Sequence, residues 1–170
     1  PPPPPPPPLF FSPPTPPSAI LSGLVGSEMC IRDRPYSWTH QLHEGGNHAL
    51  WFVGHMGTTD NFMLSLIRSE WSEVNEAYGS LFGLGSQPTS NIDDYPAVEE
   101  VLAFMDGRRQ RLLQVLEECG AEQLAVQTPE GAPEFMPDFA SVFETAIWHE
   151  GLHSGQLSLI RRSLGFEPLV

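Results

Sequence analysis

The chain has 170 residues, one domain's worth, with 21 acidic against 8 basic side chains, all of the latter arginine, for a formal net charge of -13. Such an acidic surface repels phosphate backbones and anionic bilayers, so neither nucleic acid nor membrane is an expected partner. No apolar run approaches the roughly 20 residues of a membrane-spanning helix, and two cysteines, Cys30 and Cys119, form neither a disulfide framework nor a metal motif.

Eight consecutive prolines open the chain, and the proline-rich run continues to Pro17. Proline lacks the amide proton that helices and sheet ladders need, so this stretch is expected to be a disordered, polyproline-like tail rather than a groove ligand. The ten residues from Leu24 to Asp33 resemble one reading frame of a transposase-end adaptor used to build sequencing libraries, and Gly23 and Arg34 fit the codons at its two junctions. Residues 1–34 are therefore read as a non-native segment and 35–170 as the folded domain, which leaves Cys119 as the native cysteine. With no basic-then-apolar leader at the start, a cytoplasmic setting is the expectation.

From Pro35 the composition becomes that of a helical protein. Gly45-Gly46-Asn47 reads as a loop ending in an N-cap, and Trp51, His55, Thr58, Phe62 and Leu66, three and four apart, predict an inward helical stripe reaching about Arg68. Residues 79–88 read as loop. A second helix is predicted from Tyr95-Pro96, with Glu99 and Glu100 suiting its N-terminus. Val98, Leu102, Met105, Leu112, Leu116 and Cys119 form its stripe, and Gly120 ends it. The last helix opens at Pro137-Asp138 and ends at Gly165, carrying Phe139, Val142, Phe143, Ala146, His149, His153, Leu157, Ile160 and Leu164 inward. No segment alternates with period two. The class is all-α, and long helices joined by loops suggest an antiparallel bundle.

His149 and His153, at i and i+4, project from one face, and that face is the apolar stripe. A single histidine there is ordinarily a hydrogen-bonded core residue. Two side by side are costly to bury and repel when protonated, and a metal that takes one nitrogen of each neutral ring removes both problems. His55 lies on the inward stripe of another long helix. His55, His149 and His153 thus form a candidate three-nitrogen site with open positions, the arrangement of catalytic rather than structural sites.

His149-Glu150-Gly151-Leu152-His153 also reads as HExxH, the zinc-protease motif. No histidine follows His153, however, and the one later acid, Glu167, lies past the helix end, so the downstream third ligand of those proteases is missing. Glu150 is a candidate base toward metal-activated water, but it sits about 100° round the helix from His149 and reads as an outer partner or a solvated residue. His48 shares the face of His55 at a frayed helix start and reads as a loop contact; His40 and His43 carry little signal. Arg108 and Arg109 interrupt the middle stripe and are expected to be solvated or to snorkel, with contact to an anionic substrate as the alternative. Gln156 is expected to hydrogen-bond between helices. Asp60, five residues after His55, points away from that ring and is not counted as a ligand.

Trp51-Phe52-Val53-Gly54-His55-Met56, the stretch from Trp148 to Leu157 and that from Arg161 to Pro168 together resemble the DinB-like superfamily, over about residues 41–169. The resemblance implies a four-helix bundle whose histidine triad, here His55, His149 and His153, binds a divalent metal, most often zinc or nickel. Characterised relatives include transferases and isomerases that use low-molecular-weight thiols, and members are often dimers. The expected function is therefore a metal-dependent enzyme that activates a small thiol for transfer to an electrophile. The alternatives are a non-catalytic metal-binding or stress-response protein, and a metal-dependent hydrolase with Glu150 as base. Such bundles begin with a helix before the Gly45-Gly46-Asn47 loop. Proline and adaptor sequence stand in its place here, so the first helix is expected to be missing or replaced and the apolar stripe it should cover left exposed.

Overall fold

The computed structural model describes residues 38–167. The expectations for residues 1–34, and for a missing or replaced first helix, lie outside the described residues. The described part contains α1 (Ala49–Ile67), α2 (Glu76–Phe82), α3 (Val98–Glu118), α4 (Ala121–Leu124) and α5 (Phe139–Ser163), with single 3-10 turns at Ser69–Trp71 and Ile92–Asp94. Among the described residues there is no strand beyond an isolated bridge between Gln127 and Asp138, and the all-α bundle expected from the sequence is what forms.

The helix ends follow local chemistry. At α5, the Asp138 side chain accepts from the Ser141 amide at 2.9 Å while the Ser141 hydroxyl accepts from the Asp138 amide at 3.0 Å, so two otherwise unpaired donors of the first turn are satisfied. Gly165, at φ 82°, takes the left-handed turn that releases the chain at the other end. The cap of α1 is not Asn47 but His48, whose Nδ1 accepts the Trp51 amide at 3.1 Å. Its Nε2–H in turn donates to the Tyr95 hydroxyl at 3.0 Å, so the loop contact expected for His48 is made by a wholly buried ring rather than at a frayed end.

Two apolar clusters fix how the long helices lie. Leu50, Phe52 and Met56 from the start of α1 pack with Val101, Leu102 and Met105 from the start of α3 and with Leu157 and Ile160 from the end of α5. Met63, Leu64 and Ile67 from the end of α1 pack with Leu112 and Val115 from the end of α3 and with Val142, Phe143 and Ala146 from the start of α5. So α5 runs antiparallel to α1 and α3, while α1 and α3 run parallel. Segment 68–97, which includes α2, is long enough to return the chain to the starting end of the bundle. Gly57 permits the close α1–α3 contact: a Cβ there would stand 2.7 Å from the Phe104 ring and 3.1 Å from the Met105 backbone.

Several expectations are corrected in detail. Residues 79–88 are not all loop, since α2 ends at Phe82, and that ring is wholly buried in the first cluster. Phe62 is 43 % exposed instead of inward, because burial in the second half of α1 runs through Asp60, Met63, Leu64 and Ile67. On α3, Val101 and Val115 join the expected Leu102, Met105 and Leu112 in the buried stripe, and Val98, Leu116 and Cys119 are only partly covered. Along α5, Trp148, Leu152 and Leu159 form an exposed apolar stripe. No helix among the described residues is long and apolar enough to cross a membrane.

Candidate metal centre

His55 enters the bundle from the middle of α1, and His149 and His153 meet it from successive turns of α5. The His149 Nε2 lies 3.2 Å from the His55 Nε2 and 2.9 Å from the His153 Nε2, and the ligating atoms of all three lie within 4.8 Å of one another. Nitrogen ligands about 2.0–2.1 Å from a tetrahedral zinc stand about 3.3 Å apart, so the 3.2 Å separation matches an edge of such a shell and the 2.9 Å separation is somewhat shorter than one.

What surrounds the rings fixes which nitrogens face inward. The His55 Nδ1–H donates to the Phe82 carbonyl at 2.7 Å, which leaves a lone pair on Nε2. The His153 Nδ1–H donates to the Gln156 side-chain carbonyl at 2.9 Å, with the same consequence. Trp51 stacks on the His55 ring at 4.4 Å and is itself held by a 2.8 Å hydrogen bond from its indole N–H to Ser86. The His149 Nδ1 is buried and finds no partner among the described residues. Two lone pairs thus aim at the His149 Nε2, whose one possible proton cannot fully serve both; a cation can serve all three nitrogens. Burial lowers the pKa of each ring, and that of His149 falls to about 3, with the neighbouring His153, His55 and Arg109 adding to the effect. All three imidazoles are neutral at pH 7, the form in which histidine ligates. The residues present fit a divalent metal.

A second buried constellation stands beside the first. On α3, Arg109 donates through Nε to Asp60 of α1 at 2.6 Å and through Nη1 to Glu150 of α5 at 2.5 Å. All three residues are buried, and the two carboxylates keep the guanidinium protonated. The sequence-based expectation of solvated arginines is overturned, because Asp60 and Glu150 supply the compensation that lets Arg109 sit inside. Arg108 is covered as well, bonded to the Trp71 carbonyl and to Glu73. Glu150, one residue along the chain from His149, is buried and not solvated, and its carboxylate is engaged by Arg109. Gln156 is bonded within α5, to His153, instead of between helices.

A cleft of about 540 Å³ opens onto the pair His55 and His149, walled by Phe62, Met63, Leu84, Phe135, Met136 and Trp148.

A family model described as the DinB superfamily matches residues 29–157. The chain belongs to the DinB superfamily. No curated protein matches it. The first six matched residues of this DinB-superfamily chain fall within the segment read from sequence as adaptor-derived. The histidine cluster lies inside the match, and among the described residues it is the one group of three or more metal-ligating side chains placed to hold an ion.

Sequence reasoning missed Phe82, whose carbonyl orients His55. The available signal was Gly54, directly before that histidine: a Cβ there would stand 2.3 Å from the Phe82 ring, so only glycine lets Phe82 lie against α1.

Proposed function

We propose that this DinB-superfamily protein is a metal-dependent enzyme that activates a low-molecular-weight thiol for transfer to an electrophile, with zinc or nickel held by His55, His149 and His153. The observation that carries the reading is the convergence of three neutral imidazoles beside a cleft that two of them line. A site of three protein nitrogens leaves positions for an exogenous ligand. A divalent metal supplies, when bound, the positive charge that lowers the pKa of a coordinating thiol, so that thiolate is available at neutral pH. The chain's own part is orientation. The Phe82 carbonyl and Gln156 hold two rings with Nε2 inward, Trp51 backs His55, and apolar side chains wall the cleft beside them. In the transfer, the thiol proton passes to solvent and the sulfur forms a bond to the electrophilic carbon. The leaving group departs with the electron pair of the bond that breaks.

The engagement of Glu150 by Arg109 weighs against the hydrolase alternative, since a carboxylate in a buried ion pair is a poor base. The test is incubation of the metal-loaded protein with a small thiol and a generic electrophile. Turnover lost in His153→Ala supports the reading. Stoichiometric metal without turnover supports a non-catalytic metal-binding protein, and hydrolysis abolished by Glu150→Gln supports the hydrolase.

A further inference from the structure

The cleft beside the histidines has a character of its own. Its volume, about 540 Å³, is that of a small-molecule site. Among the described residues that line it none carries a formal charge, and its polar side chains are His55, His149, Thr58, Thr59 and Thr145. Two of those threonines have already committed their protons: the Thr58 hydroxyl donates to the His55 carbonyl at 3.0 Å and that of Thr145 to the Ser141 carbonyl at 2.7 Å. Arg109 is not among the lining residues, and its guanidinium is engaged by Asp60 and Glu150. At the rim, Phe135 and Trp148 are 66 % and 64 % exposed and Leu84 is almost wholly so. Large apolar side chains left in water around one cavity mark a binding surface.

We infer that the protein wall of this cleft, apart from any metal on the histidines, binds an uncharged, largely apolar small molecule in preference to an anion. Before any metal is bound, an anion entering it meets a chain of net charge -13 and no cationic side chain. At Thr58 and Thr145 it meets hydroxyls whose protons are spent, which leaves Thr59 as the one uncommitted hydroxyl of the wall. An apolar ring system, by contrast, replaces water on Phe62, Met136 and Trp148 at no polar cost. The inference rests on the proposed function only for the role of the guest, which there is the electrophile and not the thiol.

The experiment uses the full chain, stripped of metal with a chelator, and two dyes that differ by one sulfonate: neutral N-phenyl-1-naphthylamine and anionic 8-anilinonaphthalene-1-sulfonate. The neutral dye is expected to saturate at one per chain and to bind at least tenfold more tightly than the anionic one. Leu84→Asp and Phe135→Asp, at exposed positions, are each expected to weaken the neutral dye fivefold or more with an unchanged Tm, and Phe135→Leu to retain it. Equal or tighter binding of the sulfonate overturns the inference. So does insensitivity to both aspartates, or a dimer in sedimentation that takes up no dye and separates with Phe135→Asp. Cobalt stoichiometry on the same samples keeps the two readings apart. Cobalt bound by wild type and lost in His153→Ala, with no dye uptake, sinks the cleft alone; dye uptake with no cobalt sinks the metal reading alone.

Discussion

Replacing Arg109 by methionine would leave Asp60 and Glu150, both buried, without the guanidinium that joins them. Removing one partner from a buried ion pair costs about 3–5 kcal/mol, because the stranded charge keeps its desolvation penalty and loses its compensation. With a typical urea slope of about 2 kcal/mol per molar, the unfolding midpoint should fall by about 2 M, a large share of the 5–15 kcal/mol that ordinarily holds a domain together. The pH dependence separates this cause from lost packing. Burial already raises the Asp60 pKa in the folded protein against the pull of Arg109, and without the guanidinium it rises further, so the folded variant takes up a proton more readily than the wild type. The variant's deficit should therefore shrink as pH falls from 7 toward 5. The triple variant Asp60→Asn, Arg109→Met, Glu150→Gln, which removes these three charges together, should lose less than Arg109→Met alone. The network also ties α1, α3 and α5 together next to His149, so Arg109→Met should weaken cobalt binding by about tenfold or more. Urea melts at several pH values read the first effects, and a cobalt titration reads the last. A cost below about 1 kcal/mol with no dependence on pH would refute the reasoning.

Other consequences follow from single contacts. His48 caps α1 through an unprotonated Nδ1, and burial pushes its pKa down to about 4, so its stabilising contribution is present above pH 6.5 and is lost as pH falls from 6.5 toward 4. That amounts to about 3 kcal/mol at 1.36 kcal/mol per pKa unit, and His48→Asn, which keeps a capping oxygen, should flatten the slope in pH-dependent urea melts. Gly54→Ala would drive a methyl group into the Phe82 ring. It should cost about 1–3 kcal/mol by denaturation and, by shifting the carbonyl that orients His55, weaken metal binding in a cobalt titration. Gln156 is exposed yet holds the His153 Nδ1–H, so Gln156→Ala should lower cobalt affinity about tenfold while the Tm stays within about 2 °C of wild type.

The parts of the site that come from regular periodicity were legible in the sequence. His149 and His153 share a face because 3.6 residues make a turn, and the α5 boundaries follow from Asp138 and Gly165. What periodicity could not supply was anything decided between elements. Arg108 and Arg109 look like solvated charges until Glu73, Asp60 and Glu150 are brought to them from other segments. Nor does a seven-residue helix ending at Phe82, inside a glycine-rich stretch, announce that its carbonyl will meet His55. The parallel course of α1 and α3 depends on the long segment 68–97, whose path the helical stripes leave open.

The central claim is that three neutral imidazoles from two helices share one divalent ion. It is tested most directly by metal content per chain after equilibration with zinc or nickel and removal of loosely held ion, for wild type and His153→Ala. The account predicts close to one metal in the wild type and little in the variant. A wild type that emerges metal-free, or a variant that retains as much metal as wild type, would contradict it.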